Sequence, residues 1–221
     1  MNSCYKSKSM LINNLEFDVK NLGVNIVFPF LMCIVSCIFL RAYLNDPQKW
    51  MHILEISETF VPMSAGWISI FLFVDIIQEG GYEVIFTYPV KRKELGIKRV
   101  LIFYIVYAIS VLLYVLSIQL ITKENVWLNL YVQFLIEGLF FSALGFLSIV
   151  LTSNCAFSIV ILVGYSIIGT LTKGKHLGIL NIFFSNFDVL GIKEVLIYGI
   201  KPLVYSFVLF WVAQFKFNKI N

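Results

Sequence analysis

The sequence predicts an all-α integral membrane protein with six transmembrane helices and a short, charged helical element between spans two and three. Three observations predict it. Hydrophobic residues make up 59% of the 221-residue chain and charged residues 14%, with a mean hydropathy of +0.86. A water-soluble domain could not bury that much apolar surface, whereas a bilayer solvates it. The apolar residues gather into runs long enough to cross the hydrocarbon core, which takes about 20 residues in a helix. Positive charge collects in the connections beside these runs, so the net charge of +4 speaks for orientation in the lipid bilayer and not for nucleic acid. The spans use up the chain, and residues 1–221 read as one transmembrane domain.

Residues 1–22 are polar and mixed in charge. Leu11, Ile12, Leu15, Val19 and Leu22 recur at roughly helical spacing, which predicts an amphipathic helix on the membrane surface. Glu16 and Asp18, with no compact apolar core before a small-residue site, argue against a cleavable signal peptide. The first span is 23–44. Pro29 bends it or sits in its first turns, and Arg41 near its far end can snorkel toward water. A polar connection over 45–55 holds the turn signal Asp46-Pro47. The second span, 56–77, is weaker, with Glu58 near its start, Pro62 and Gly66 inside and Asp75 near its end. The third, 100–121, is about 33 Å long at 1.5 Å per residue, enough to cross with modest tilt. Lys123, Glu124 and Asn125 make a short turn, so spans three and four are antiparallel neighbours.

The fourth span, 126–151, carries Gln133 and Glu137 four residues apart on one face, beside a stripe of small residues, Gly138, Ser142 and Gly145. Small residues let helix backbones approach closely in lipid. A carboxylate at this depth is costly unless it faces protein, water or a partner. Gln133 and Glu137 are therefore the candidate intramembrane residues: Glu137 either lines a pathway or bonds a neighbouring helix. Thr152 to Asn154 turn the chain into the fifth span, 155–172. Residues 173–194 set Phe183, Phe184 and Phe187 among Asn181, Asn186 and Asp188, which predicts an aromatic-rich connection dipping partly into the membrane. The sixth span, 195–215, is interrupted at Lys201-Pro202 and followed by Lys216 and Lys219.

Six spans put both termini on one side. With that side cytoplasmic, ten of the 17 basic residues face the cytoplasm and seven face outside. Most of the margin comes from residues 78–99, where Lys91, Arg92, Lys93, Lys98 and Arg99 cluster, so this stretch and both termini are assigned to the cytoplasm of a cell membrane, with a bacterial source expected. The Gly80-Gly81 pair breaks the preceding run, and Pro89 pushes Tyr88 out of the helical region. Two short helical pieces joined by a turn are expected there, at the membrane surface.

Other motifs fail on chemistry. Residues 169–176, GTLTKGKH, nearly match a phosphate-binding loop, but His176 stands where a magnesium-binding hydroxyl is needed, and the segment ends a span instead of following a strand. His52 and His176 have no partners at metal-ligand spacing. The four cysteines form no CxxC pair, so buried thiols are expected and neither a disulfide framework nor a zinc site is. No catalytic constellation, cofactor motif or metal site is expected.

The 78–99 stretch resembles the cytoplasmic loop between spans two and three of the type 2 ABC exporter permeases. That family's pattern is acidic residues, Gly-Thr, a glutamate two further on, an apolar run, Pro-x-x-Arg, and a basic residue opening span three. Gly80, Glu83, Pro89, Arg92 and Lys98 or Arg99 stand in those places. Gly81 replaces the threonine, Gln78 stands where an acid is common, and the glycine usual before the closing lysine is absent. The resemblance covers this loop and the six-span layout. It implies that the loop is a coupling helix docking on a separate ABC ATPase subunit, with Glu79, Gly80, Glu83, Val84, Ile85, Tyr88, Pro89 and Arg92 at the contact. It also implies a second permease, either another copy of this chain or a related one, and a non-enzymatic role, since ATP hydrolysis falls to the partner.

The resulting expectation is a permease subunit of an ATP-driven exporter moving an amphipathic substrate: a peptide, an antibiotic or a lipid-like molecule. The alternative from another class is a non-transporting membrane immunity or sensor protein that binds a toxic peptide. A secondary transporter is a third reading, against which stand the lack of an inverted repeat and a single deeply placed carboxylate, Glu137.

Overall fold

A short 3-10 stretch, Gly23–Val27, leads into the first long helix, α1 (Phe28–Tyr43). Gly23 adopts φ +48°, a left-handed value that costs a glycine nothing. The structure, a computed structural model, describes residues 18–78, 95–173, 175–184 and 188–219. Pro29 sits in the first turn of α1, where its missing amide proton costs no hydrogen bond. Residues 18–22 are already helical, so the candidate span runs Asp18–Tyr43 and Leu22 is buried in the core. The expected surface helix over 1–22 is corrected in that part; its first 17 residues lie outside the described ones.

The second helix starts earlier than expected. α2 (Lys49–Phe73) continues through a π-helical turn, Val74–Gln78, and only five residues separate it from α1. The polar connection over 45–55 is thereby corrected. Asp46 makes the turn, its carboxylate accepting from the Gln48 amide at 2.8 Å. Helix then begins because Trp50, Ile53 and Leu54 present an apolar face at helical spacing to the core.

α3 (Ile97–Thr122) and α4 (Trp127–Thr152) form a helical hairpin, and α5 (Cys155–Leu171) follows α4 after a two-residue turn. Lys123 and Ser153 close α3 and α4 in left-handed geometry, with amides donating to the Gln119 and Ile149 carbonyls. Asn154 caps α5 by accepting from the Phe157 amide at 3.1 Å. α6 (Ile192–Phe217) runs unbroken through Pro202. The expected interruption at Lys201-Pro202 is therefore corrected; a single lost amide bond does not end a helix held by packing on both sides.

Among the described residues, five helices are long and apolar enough to cross a membrane: Asp18–Tyr43, Lys49–Gln78, Ile97–Thr122, Trp127–Thr152 and Ile192–Phe217. α5, at 17 residues, is the shorter apolar one and reaches about 25 Å at 1.5 Å per residue. No strand occurs among the described residues.

α2 and α4 are the central pair. In each, 72% of the most apolar window is buried, against 22% to 39% in the other three long helices. They cross on small residues. A Cβ on Gly145 would stand 2.4 Å from the Gly66 carbonyl oxygen, so the two backbones touch there. One turn away Ser69 and Ser142 share a 2.8 Å hydrogen bond. The outer face of α6, with Ile197, Val204, Phe207 and Trp211 exposed, is apolar.

The 173–194 connection is more firmly packed than expected. Ile182 and Phe183 are buried in the core, and Phe183 lies where a Cβ on Gly169 would be. A short 3-10 turn, Gly178–Leu180, precedes them, and Tyr165 donates to the Leu180 carbonyl at 2.6 Å. Phe187 lies outside the described residues.

Candidate functional site

Two polar centres stand out in a largely apolar bundle. The first lies between the central helices. Gln133 and Glu137 share a face of α4 because they are four residues apart, and Glu58 of α2 meets them. The Gln133 amide nitrogen donates to Glu58 Oε1 at 2.7 Å and to Glu137 Oε1 at 3.2 Å. A primary amide has two N–H groups, so one glutamine can serve both carboxylates. All three side chains are fully buried. The second oxygen of Glu137, Oε2, has no hydrogen-bond partner among the described residues. The centre therefore holds an unfilled acceptor position in the middle of the bundle.

Its surroundings are shaped to fit. Tyr107 of α3 is fully buried and donates to the Phe134 carbonyl at 2.7 Å. A Cβ on Gly138 would meet the Tyr107 ring at 2.3 Å, so the glycine beside Glu137 is what admits the tyrosine. Pro62, one turn past Glu58, has no amide to give the Glu58 backbone carbonyl. The expected close helix approach along Gly138, Ser142 and Gly145 is thus divided: Gly145 and Ser142 meet α2, whereas Gly138 makes room for a ring.

The second centre sits where the first span, Asp18–Tyr43, and α3 begin. Arg99 Nε donates to Asp18 Oδ2 at 2.7 Å, and Arg99 Nη2 donates to Asp18 Oδ1. Two parallel N–H bonds to one carboxylate are the geometry a guanidinium favours. Both side chains are buried, and the Arg99 guanidinium lies 5.5 Å from the centre of the Phe73 ring. Arg99 Nη1 is buried without a partner among the described residues. Expected as a loop cation before span three, Arg99 belongs instead to α3, which starts at Ile97.

Nearby contacts pin the two ends of the 79–94 stretch. On its near side, Gln78 Oε1 accepts from the Cys155 amide, the first residue of α5, at 2.8 Å. On its far side, Gln214 of α6 accepts from the Ile97 amide at 2.9 Å, capping α3. A Cβ on Gly96 would lie 2.0 Å from that glutamine oxygen, so glycine is needed for the approach.

Of the residues expected to matter, Gln133 and Glu137 are brought together, with Glu58 as a third member. Glu79, Gly80, Glu83, Val84, Ile85, Tyr88, Pro89 and Arg92 lie outside the described residues. Sequence reasoning missed Glu58 as a partner, because it was read only as a weakness in span two. It missed the Asp18–Arg99 pair because 81 residues separate its members. The one available signal was that each is an ion beside an apolar run. Comparison with known protein families, curated proteins and solved structures returned no match to this chain.

Proposed function

We propose that this chain is the permease subunit of an ATP-driven exporter, a multi-pass protein of the cell membrane. It moves an amphipathic substrate, pairs with a second permease and takes its energy from a separate ABC ATPase. The observation that carries this reading is the way both ends of the 79–94 stretch are tied to other helices. Gln78 holds the start of α5, Gln214 of α6 holds the start of α3, and Arg99 holds the start of the first span through Asp18. A push on this stretch would move α2 and α3 directly, and α1, α5 and α6 through these ties. That is the linkage a coupling element requires.

The residues between the ties carry the chemistry for docking. Glu83 and Arg92 supply charge, and Val84, Ile85 and Tyr88 supply apolar side chains. No complete phosphate-binding loop occurs in this sequence, which fits ATP hydrolysis on a partner ATPase. Within the bundle, the Glu58–Gln133–Glu137 centre bridges α2 and α4, and motion entering through α2 would bear on it first.

The test is the Glu83→Ala, Ile85→Ala double variant, followed by pull-down of the ATPase and by substrate export from cells. Truncating residues at the centre of an interface costs about 2 kcal/mol or more, equivalent to roughly a thirtyfold loss of affinity. Release of the ATPase, or hydrolysis without export, is the expected outcome, with the permease still inserted. Unchanged binding together with unchanged export would remove the coupling role.

A further inference from the structure

At the opposite end of the bundle from the 79–94 stretch, a cleft of about 340 Å³ opens between the end of α1, the first turns of α2 and the end of α5. Tyr43, His52, Glu55, Phe60, Ile167 and Leu171 line it. The volume lies in the range of small-molecule pockets, about 300–1,000 Å³. One side is aromatic: the Tyr43 and His52 rings stack with centroids 4.7 Å apart, and Phe60 stacks on Phe39 at 6.4 Å. The other side is aliphatic, from Ile167 and Leu171 of α5. The walls are held together, since Ser166 of α5 donates to the Thr59 carbonyl of α2 at 2.8 Å.

Charge singles out the ligand class. The described lining contains one carboxylate, Glu55, and no lysine or arginine. The Glu55 backbone carbonyl accepts from Thr59 Oγ1 at 2.7 Å, but its half-buried carboxylate has no hydrogen bond or ion pair among the described residues. His52 is engaged elsewhere, with Nε2 3.8 Å from Asp46 Oδ2. An unpaired carboxylate beside aromatic faces attracts a cation twice, by charge and by the ring quadrupole. The aliphatic wall rewards an apolar body on that cation. A neutral lipid chain would cover the aliphatic wall but leave the carboxylate dehydrated and without a partner.

We infer that this cleft binds an organic ammonium ion carrying an apolar group. The inference goes beyond the exporter reading and does not rest on it, because binding to this chain needs no ATPase. Tritiated benzyltrimethylammonium is the probe, measured by equilibrium dialysis against the full chain in nanodiscs of zwitterionic lipid, with empty nanodiscs as background. Its uncharged isostere, neopentylbenzene, serves as competitor. Saturable binding of one probe per chain is expected, displaced by unlabelled cation and not by the isostere. Glu55→Gln should weaken it about tenfold, the scale of one charge contact reinforced by a ring. Glu55→Asp should retain most of the affinity and guards against a folding defect in the amide variant. Equal binding by Glu55→Gln, equal displacement by the isostere, or no saturable binding above empty nanodiscs would each overturn the inference.

Discussion

The two buried polar centres solve the same problem in opposite ways. At Asp18–Arg99 a carboxylate meets a permanent cation through a two-pronged contact that satisfies both carboxylate oxygens and leaves Arg99 Nη1 without a partner among the described residues. At Glu58–Gln133–Glu137 two carboxylates share one neutral amide, and the second Glu137 oxygen has no partner among the described residues. The first is a tie, fixed in geometry by the guanidinium fork. The second is a bridge with an unfilled acceptor. Their positions match the difference, since the tie fastens helix ends beside the 79–94 stretch and the bridge lies between the central helices.

The largest expected effect is at the tie. Arg99→Ala leaves Asp18 buried without its cation, and losing one partner of a buried pair costs about 3–5 kcal/mol. A marked fall in thermal unfolding midpoint of the detergent-purified chain is the readout. Replacing both residues, Asp18→Leu with Arg99→Leu, should recover most of that loss, because no lone charge remains. If the single variant is as stable as the parent, the pair is not a tie.

The bridge should respond less. Gln133→Leu removes the donor both carboxylates share and should cost about 1–3 kcal/mol. Glu137→Gln keeps an oxygen for Gln133 to reach and should cost under about 1 kcal/mol. The same unfolding measurement ranks the three variants, and a Glu137→Gln loss equal to that of Gln133→Leu would show that the carboxylate itself, not the hydrogen bond, holds the helices.

An exposed pair gives the smallest effect. At the end of the bundle away from the 79–94 stretch, Lys49 Nζ lies 2.6 Å from Glu124 Oε1, and Trp50 Nε1 donates to Glu124 Oε2 at 3.0 Å. The Lys49 hydrogen bond holds the Glu124 carboxyl below its ordinary range, with burial opposing and Trp50 assisting. A folded-state value below the unfolded one adds stability at neutral pH, which is lost as pH falls through the folded value. Glu124 is 42% exposed, so solvent screening should keep the effect below roughly 1 kcal/mol. Lys49→Met should flatten this acid limb of the unfolding profile. A profile unchanged in the variant would assign the limb to other carboxylates.

Much of the fold was legible because apolar run length is a local property. Six helices could be marked from the sequence, and the α3–α4 and α4–α5 turns fell where short polar breaks announced them. Boundaries failed where packing extended a helix through polar residues. Lys49 and His52 read as connection, yet Trp50, Ile53 and Leu54 between and after them find a core to enter. Pro202 read as a break, yet its helix is held on both sides of the proline. Within the candidate site, Gln133 and Glu137 were visible together because four residues of one helix always share a face.

By itself, the sequence determined that the chain is suited to a bilayer, that it is helical, and that Glu137 lies deep in an apolar run. Hydrophobicity and helical period are carried by neighbouring residues, so no partner is needed to read them. Tertiary structure alone decided what each ion meets: Glu58 with Gln133, Asp18 with Arg99, Gln214 with the start of α3, and Gly66 with Gly145. These pairings join residues between 75 and 117 positions apart, the glycine contact at the same α2–α4 crossing included. Helix rotation and crossing settle them, because a polar group in lipid takes whichever partner the packing of the apolar faces brings within reach.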